Sequence, residues 1–345
     1  MLNLNYKPNI IKSTANLTRE EWLKDRRLGI GGSEASIVMG VSPWATRRDL
    51  YYDKIGWKPI RIDPEEDNWV AKQVGNRLEE LVAMIFSRKT GFEVYEDKNM
   101  YIHPLYPFMI ADLDFVISFP DGTKAILECK TCNYNSQFKW KDNQVPINYE
   151  WQCRHYMAVK NYKVAYIACL YGNNDSEFFI RRIDRDLDLE EQLIEKEKYF
   201  WMEQVQARRE PPYEEQPDLV LESIRRYAGT PDQKLPPINL GEEDKNQIDR
   251  YLQLAERKSR LDAMRRKIEQ EQKALSIPFV EKLGKNCSAV LLSGNDRYRI
   301  TYNPTSRKIV NKENITKLEN LYPDAYADVV SESVSRTFRV KKEAA

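Results

Sequence analysis

The sequence predicts an α/β fold, a mixed β-sheet flanked by helices, with a C-terminal helical hairpin and a small α+β extension. Three observations predict it. Apolar residues recur at helical spacing over 68–90, short extended segments follow, and after a second helical stretch the run VAYIACLY at 164–171 reads as a strand buried on both faces. Helix, β-meander, helix and buried strand, in that order, make a mixed sheet with helices against it.

Each element follows from its residues. The run Leu17-Thr18-Arg19-Glu20-Glu21-Trp22 opens a helix, and the turn Gly29-Ile30-Gly31-Gly32-Ser33 leads into another, with Ser33 at its N-cap. Over 68–90, Val70, Val74, Leu78, Leu81, Val82 and Ile85 form one helical stripe, which Gly91 stops. Extended segments at 92–95, 110–119 and 124–130 come next, with Asp121-Gly122 as a hairpin turn, and are expected to pair as an antiparallel meander. After the helix at 147–160 and the buried strand, 177–183 adds a strand and 187–209 a charged amphipathic helix ended by Pro211-Pro212.

Composition then shifts. Six prolines between 211 and 241 mark an irregular connector, which divides the chain into a domain over 1–210, the connector 211–241 and a C-terminal region over 242–345. A long helix over 242–276 carries Leu254, Leu261, Ile268 and Leu275 seven residues apart, but Arg257 and Glu271 interrupt the heptad. That half-filled pattern favours an antiparallel helical hairpin, with 187–209 as a candidate partner, over a free coiled coil. Segments 289–292 and 298–302 form a small hairpin around Gly294-Asn295.

Bulk properties narrow the function. With 41% hydrophobic and 31% charged residues, the chain is too apolar for disorder and too charged for a membrane protein. No apolar run reaches 18 residues and the N-terminal stretch lacks a signal peptide's features, so a cytoplasmic protein without a membrane partner is expected. Lys+Arg 54 against Asp+Glu 53 excludes a basic nucleic-acid coat, so any nucleic-acid role depends on local charge. The five cysteines read as reduced thiols, and Cys129/Cys132 lack a second pair for a metal site. His103 and His155 are too few and scattered for a His-based site, although His155, three residues after Gln152, is open to a DNA contact. Gly31-Gly32 is followed by no G-K-[ST], so ATP independence is expected. The basic residues around Arg257 and Arg265 alternate with acidic ones and read as a solvated face.

The strongest constellation is Asp114 with Glu128-Cys129-Lys130. On a strand Glu128 and Lys130 project together while Cys129 turns away, and a hairpin can bring Asp114 beside them. Both carboxylates stand among apolar neighbours, and carboxylates converging there repel unless a cation such as Mg²⁺ or Mn²⁺ sits between them. Asp112 faces the same side and competes for the ligand role. The glycine-rich turn and Arg26 could hold an anion; Trp44, after Ser42-Pro43, fits either an end-stacking residue or a packing anchor.

Asp114 followed by Glu128-x-Lys130 resembles the PD-(D/E)xK nuclease core. The wider pattern resembles the YqaJ-type viral recombinases, relatives of lambda exonuclease. The supporting blocks are Trp22 to Ala35 continued by Gly40-Val41-Ser42-Pro43-Trp44, Gly75-Asn76-Arg77-Leu78-Glu79, Tyr149 to Met157, and, more loosely, 298–301 and 335–340. The resemblance implies Glu79, Asp114, Glu128 and the Cys129 backbone carbonyl as ligands of Mg²⁺ or Mn²⁺. It also implies Lys130 as the catalytic lysine and Gln152 as a residue that positions the site. Arg26 and Ser33 would bind the 5′-phosphate of a DNA end, with Arg27 as a further candidate after them. The sequence departs from the family in Asp112-Leu113-Asp114-Phe115, where many members have Asp-Gly, and in Gln152-Cys153-Arg154, which replaces Q-x-Q and leaves position 154 without a role.

The implied activity is a metal-dependent deoxyribonuclease, phage- or prophage-encoded and acting in the bacterial cytoplasm. It would digest linear duplex DNA from 5′ to 3′, leaving 3′ single strands for a single-strand-annealing recombinase. A homo-oligomer is also implied, since the lambda branch forms a ring around DNA. Two alternatives stay open: an endonuclease or junction-resolving enzyme on the same core, and a non-catalytic DNA-binding scaffold assembled through 242–276.

Overall fold

The computed structural model describes residues 2–60, 69–228, 234–306 and 312–330. In chain order its elements are β1 (Asn9–Ser13), α1 (Arg19–Arg26), α2 (Gly32–Val38), α3 (Arg47–Lys54), α4 (Trp69–Thr90), β2 (Glu93–Glu96), β3 (Asn99–Ile102), β4 (Ile110–Asp112), β5 (Phe115–Ser118) and β6 (Lys124–Thr131). A 3₁₀ stretch (Tyr134–Asn143) leads to α5 (Ile147–Lys160), β7 (Val164–Leu170), β8 (Phe178–Asp184), α6 (Leu187–Tyr199) with a π-helical continuation (Phe200–Gln206), and α7 (Pro217–Tyr227). The rest comprises α8 (Lys245–Leu283), β9 (Ser288–Ser293), β10 (Asp296–Thr301), α9 (Lys312–Leu321) and α10 (Pro323–Val329).

The main sheet runs β2-β5-β6-β7-β8. Its pairs are antiparallel except β6 with β7, which are parallel and joined by a crossover through α5. This is the mixed sheet flanked by helices that the element order predicted. Side-chain alternation on β6 divides the core: Ala125, Leu127 and Cys129 pack with Val82, Ala83 and Phe86 of α4, while Ile126 joins Met157, Ala158 and Ile167 in the cluster that includes α5. Glu128 and Lys130 therefore share the face of Ile126.

The predicted strand over 110–119 is two strands. β4 pairs with β3 in a separate three-stranded sheet, β1-β3-β4, whereas β5 pairs with β2 and β6. The break has its cause on the neighbouring strand β6. Beyond the Phe115–Leu127 pair, the Cys129 amide donates to Asp114 Oδ2 at 2.9 Å, so a side chain takes the place of a backbone acceptor.

The C-terminal boundaries also need correction. The chain forms two units, Met1–Gln233 and Lys234–Ala345, in place of a domain ending at 210 and a connector to 241. Part of that connector is α7, started by Pro217 in its first turn, where the missing N–H costs nothing. It packs on the first unit: Ser223 Oγ donates to Asp49 Oδ1 at 2.8 Å and the Tyr227 ring lies 4.3 Å from Tyr52. In the second unit α8 is a single 39-residue helix that runs through Pro278, and Leu254, Leu261, Ile268 and Leu275 are exposed. Within that unit, no second long helix among the described residues completes a helical hairpin. β9 and β10 form the expected small hairpin. Among the described residues no helix is long and apolar enough to cross a membrane.

Candidate active site

Three elements and one strand break converge on a cleft of about 520 Å³ lined by Glu79, Asp114, Glu128, Lys130 and Gln152. β6 supplies Glu128 and Lys130 two residues apart on one face, and Lys130 Nζ donates to Glu128 Oε1. From α5, Gln152 Nε2 donates to the same oxygen at 2.7 Å and lies 3.4 Å from Tyr156 Oη. The β4–β5 break supplies Asp114. Glu79 enters from α4 one turn after Gly75, whose position lies against the Thr131 side chain.

The electrostatics are those of crowded carboxylates. Burial and the Asp114 charge push Glu128 up to about 8 and Glu79 up to about 7. Burial also raises Asp114. Burial alone would lower Lys130, but Glu128 and Asp114 outweigh it and hold the ammonium firmly protonated. Glu128 Oε2 is buried and has no hydrogen-bond partner. As the side chains lie, no three His, Cys, Asp or Glu residues among the described ones enclose an ion. The donor set nevertheless fits one: an orphaned carboxylate oxygen and three mutually opposed carboxylates are what a hard divalent cation satisfies.

Arg26 and Ser33 line the same cleft. Ser33 is not the N-cap expected from sequence. Gly31 is, and its amide donates to Glu34 Oε2 at 2.8 Å while Ser33 stands exposed in the first turn, accepting from Arg26 Nη2 at 2.8 Å. Arg26 also pairs with Glu34 at 3.0 Å. Gly32 permits a close approach, since a Cβ there would fall 2.3 Å from the Tyr156 ring. Arg27 turns away to Asp53 at 2.9 Å.

Other candidates resolve differently. Asp112, the competing ligand, accepts from Trp22 Nε1 at 2.6 Å. His155 is fully buried between Glu197, 2.8 Å from Nδ1, and the Ile110 carbonyl, 2.8 Å from Nε2, so it offers DNA no contact. His103 Nδ1 accepts from the Leu105 and Tyr106 amides. Arg154 pairs with Glu150. Trp44 is exposed beside the cleft, 6.0 Å from Tyr149. Sequence reasoning overlooked Glu34, Lys54 and the Trp22–Asp112 bond; of these only Glu34 had a local signal, a carboxylate three residues after the capping glycine.

Residues 21–163 match the family model of the YqaJ-like viral recombinase domain. The chain is 31% identical over 339 residues to the uncharacterized protein YqaJ of Bacillus subtilis (strain 168), spanning 96% of this chain and 97% of that protein. Among solved structures, the alkaline exonuclease LHK-Exo from Laribacter hongkongensis superposes with a TM-score of 0.46 and 22% identity over 55% of this chain and 94% of its own. A phage related exonuclease from Haemophilus somnus 129PT gives 0.36 and 14% over 54% and 99%.

Proposed function

Because the chain belongs to the YqaJ-like viral recombinase family, we propose that it is a metal-dependent exodeoxyribonuclease that digests linear duplex DNA from its 5′ ends. The 3′ single strands it leaves would serve an annealing recombinase. One observation carries this proposal: Glu79, Asp114, Glu128 and Lys130, drawn from separate parts of the chain, meet in one cleft, with a buried carboxylate oxygen left unpartnered.

Glu79, Asp114 and Glu128 would hold Mg²⁺ or Mn²⁺, with the Cys129 carbonyl as a further ligand, and the ion would supply Lewis-acid stabilisation of charge on the scissile phosphate. Lys130 stays protonated, so its ammonium orients the attacking water or offsets charge on a phosphate oxygen. Gln152 fixes the rotamer of Glu128 through its 2.7 Å bond. Arg26 and Ser33 hold the terminal 5′-phosphate at the cleft wall. The same reading makes the protein a phage or prophage product of the bacterial cytoplasm and a homo-oligomer, a ring being one form.

A gel comparing linear, nicked and closed-circular DNA in Mg²⁺ or EDTA tests the proposal. Loss of the linear substrate alone, and only with the ion, is expected. Cleavage of closed circles would replace the exonuclease with an endonuclease, and no Mg²⁺- or Mn²⁺-dependent digestion of any form would overturn it.

A further inference from the structure

The cleft interior is acidic, with Glu79, Asp112, Asp114 and Glu128 all on its wall, and the chain as a whole carries a net charge of only +1. A phosphodiester backbone entering such a cleft needs cations placed at its mouth. Arg26 is partly spent there, since Glu34 pairs with it. One turn and more upstream, Arg19 lines the same cleft, is exposed, and has no carboxylate partner among the described residues.

Arg19 is nevertheless held. Its guanidinium lies 4.5 Å from the centroid of the Trp22 ring and that of Arg26 lies 4.7 Å from the same ring. The indole is itself fixed, because Nε1 donates to Asp112 Oδ2 at 2.6 Å. Stacking leaves the edge of a guanidinium, with its fork of donors, available to an oxyanion. Arg19, Trp22 and Arg26 thus make one stripe along α1, at i, i+3 and i+7.

We propose that Arg19, stacked on the Asp112-anchored Trp22, is a second phosphate contact that binds the backbone of the strand entering the cleft. The two guanidinium groups lie 4.5 and 4.7 Å from one ring centroid, so they are close neighbours, and one strand of a duplex rises about 3.4 Å per nucleotide. Arg19 therefore addresses a phosphate no more than about two nucleotides from the one at Arg26. This inference rests on the nuclease proposal.

Binding of a fluorescent 5′-phosphorylated duplex, measured by anisotropy in EDTA over a salt series, separates the two. For Arg19→Ala the slope of log K against log salt should shrink by about 0.9, the loss of one phosphate contact. Affinity should fall about tenfold, the size of one charge-assisted hydrogen bond. Arg182→Ala, which removes the same charge from a residue paired with Asp184 at 2.7 Å outside the cleft, should keep the wild-type slope. An unchanged slope for Arg19→Ala, or an equal loss for Arg182→Ala, overturns the contact alone. A wild-type protein that binds no duplex overturns the contact, and one that also digests none in Mg²⁺ or Mn²⁺ overturns the nuclease proposal with it.

Discussion

Two buried glutamates, Glu128 on the wall of the cleft and Glu34 behind the cleft residue Arg26, meet opposite electrostatic fates. Glu34 is 7% exposed; its Oε2 takes Lys54 Nζ at 2.7 Å and the Gly31 amide at 2.8 Å, and Oε1 takes Arg26 at 3.0 Å. Burial pushes its carboxyl up, but Lys54 and Arg26 outweigh burial and hold it below the usual range. Glu128, 1% exposed, shares a single ammonium with Asp114 and Glu79 nearby, and is pushed up to about 8. Burial is common to both, so the count of partners decides: two cations close one site structurally, whereas three carboxylates around one lysine leave an excess of negative charge that the proposed divalent ion would offset.

The largest expected effect lies at the second of these sites. Lys130→Ala should slow Mg²⁺-dependent digestion of linear duplex roughly 100- to 1,000-fold, the range for removing one group that stabilises developing charge. Glu128→Gln should also abolish digestion while leaving the ion-free protein at least as stable at pH 8 as wild type, because the buried charge disappears. Undiminished digestion by Lys130→Ala would sink the assignment. Glu34→Gln should do the reverse. It leaves Lys54, whose side chain is fully buried, without its countercharge, at a cost of about 3 kcal/mol in denaturant unfolding.

The contrast also has a pH signature with a defined sign. With its pKa raised from the usual 4.5 to about 8, Glu128 binds more proton in the folded state than in the unfolded one throughout that interval. The ion-free protein should therefore lose stability as pH rises from about 4.5 to 8, and Glu79, raised to about 7, adds to the loss over the lower part. Glu34, held low, contributes stability above the ordinary carboxylate range that is lost as pH falls through its depressed pKa. Melting midpoints in EDTA at pH 5, 6.5 and 8 test this: the decline should flatten in Glu128→Gln and on addition of Mg²⁺. A decline of equal steepness in Glu128→Gln would assign the effect elsewhere.

How much of this was legible in the sequence follows from the range of the interactions. The main sheet, α4, α5 and the carboxylate–lysine strand were readable because period and alternation are local, and Glu128-x-Lys130 carries its geometry within three residues. The break at Asp114 was not, because it depends on the Cys129 amide fifteen residues away. Nor was Ser33's displacement from the cap, since serine's general preference lost to the reach of Glu34 back to Gly31. Lys54 and Trp22 join the site through bonds to Glu34 and Asp112 that no spacing encodes. In the C-terminal half the heptad marked α8 correctly as a helix and left its partner undetermined, because a stripe of leucines does not specify what covers it.

A third buried carboxylate extends the comparison with a smaller effect. Asp49, 8% exposed, is satisfied by the Thr46 amide at 2.8 Å, by Ser223 Oγ at 2.8 Å and by Arg226 at 3.4 Å, the last two from α7. Proline content made 211–241 read as a connector, yet the hydroxyl of Ser223 is what a docked helix offers a carboxylate that would otherwise lose water. Ser223→Ala removes one donor from a buried anion and should destabilise the N-terminal unit by about 1–2 kcal/mol, with digestion of DNA unchanged at temperatures below the transition. Denaturant unfolding of the full chain measures it. An unchanged midpoint would mean that the Ser223–Asp49 bond adds nothing to the unit, and would leave the docking of α7 to Arg226 and Tyr227.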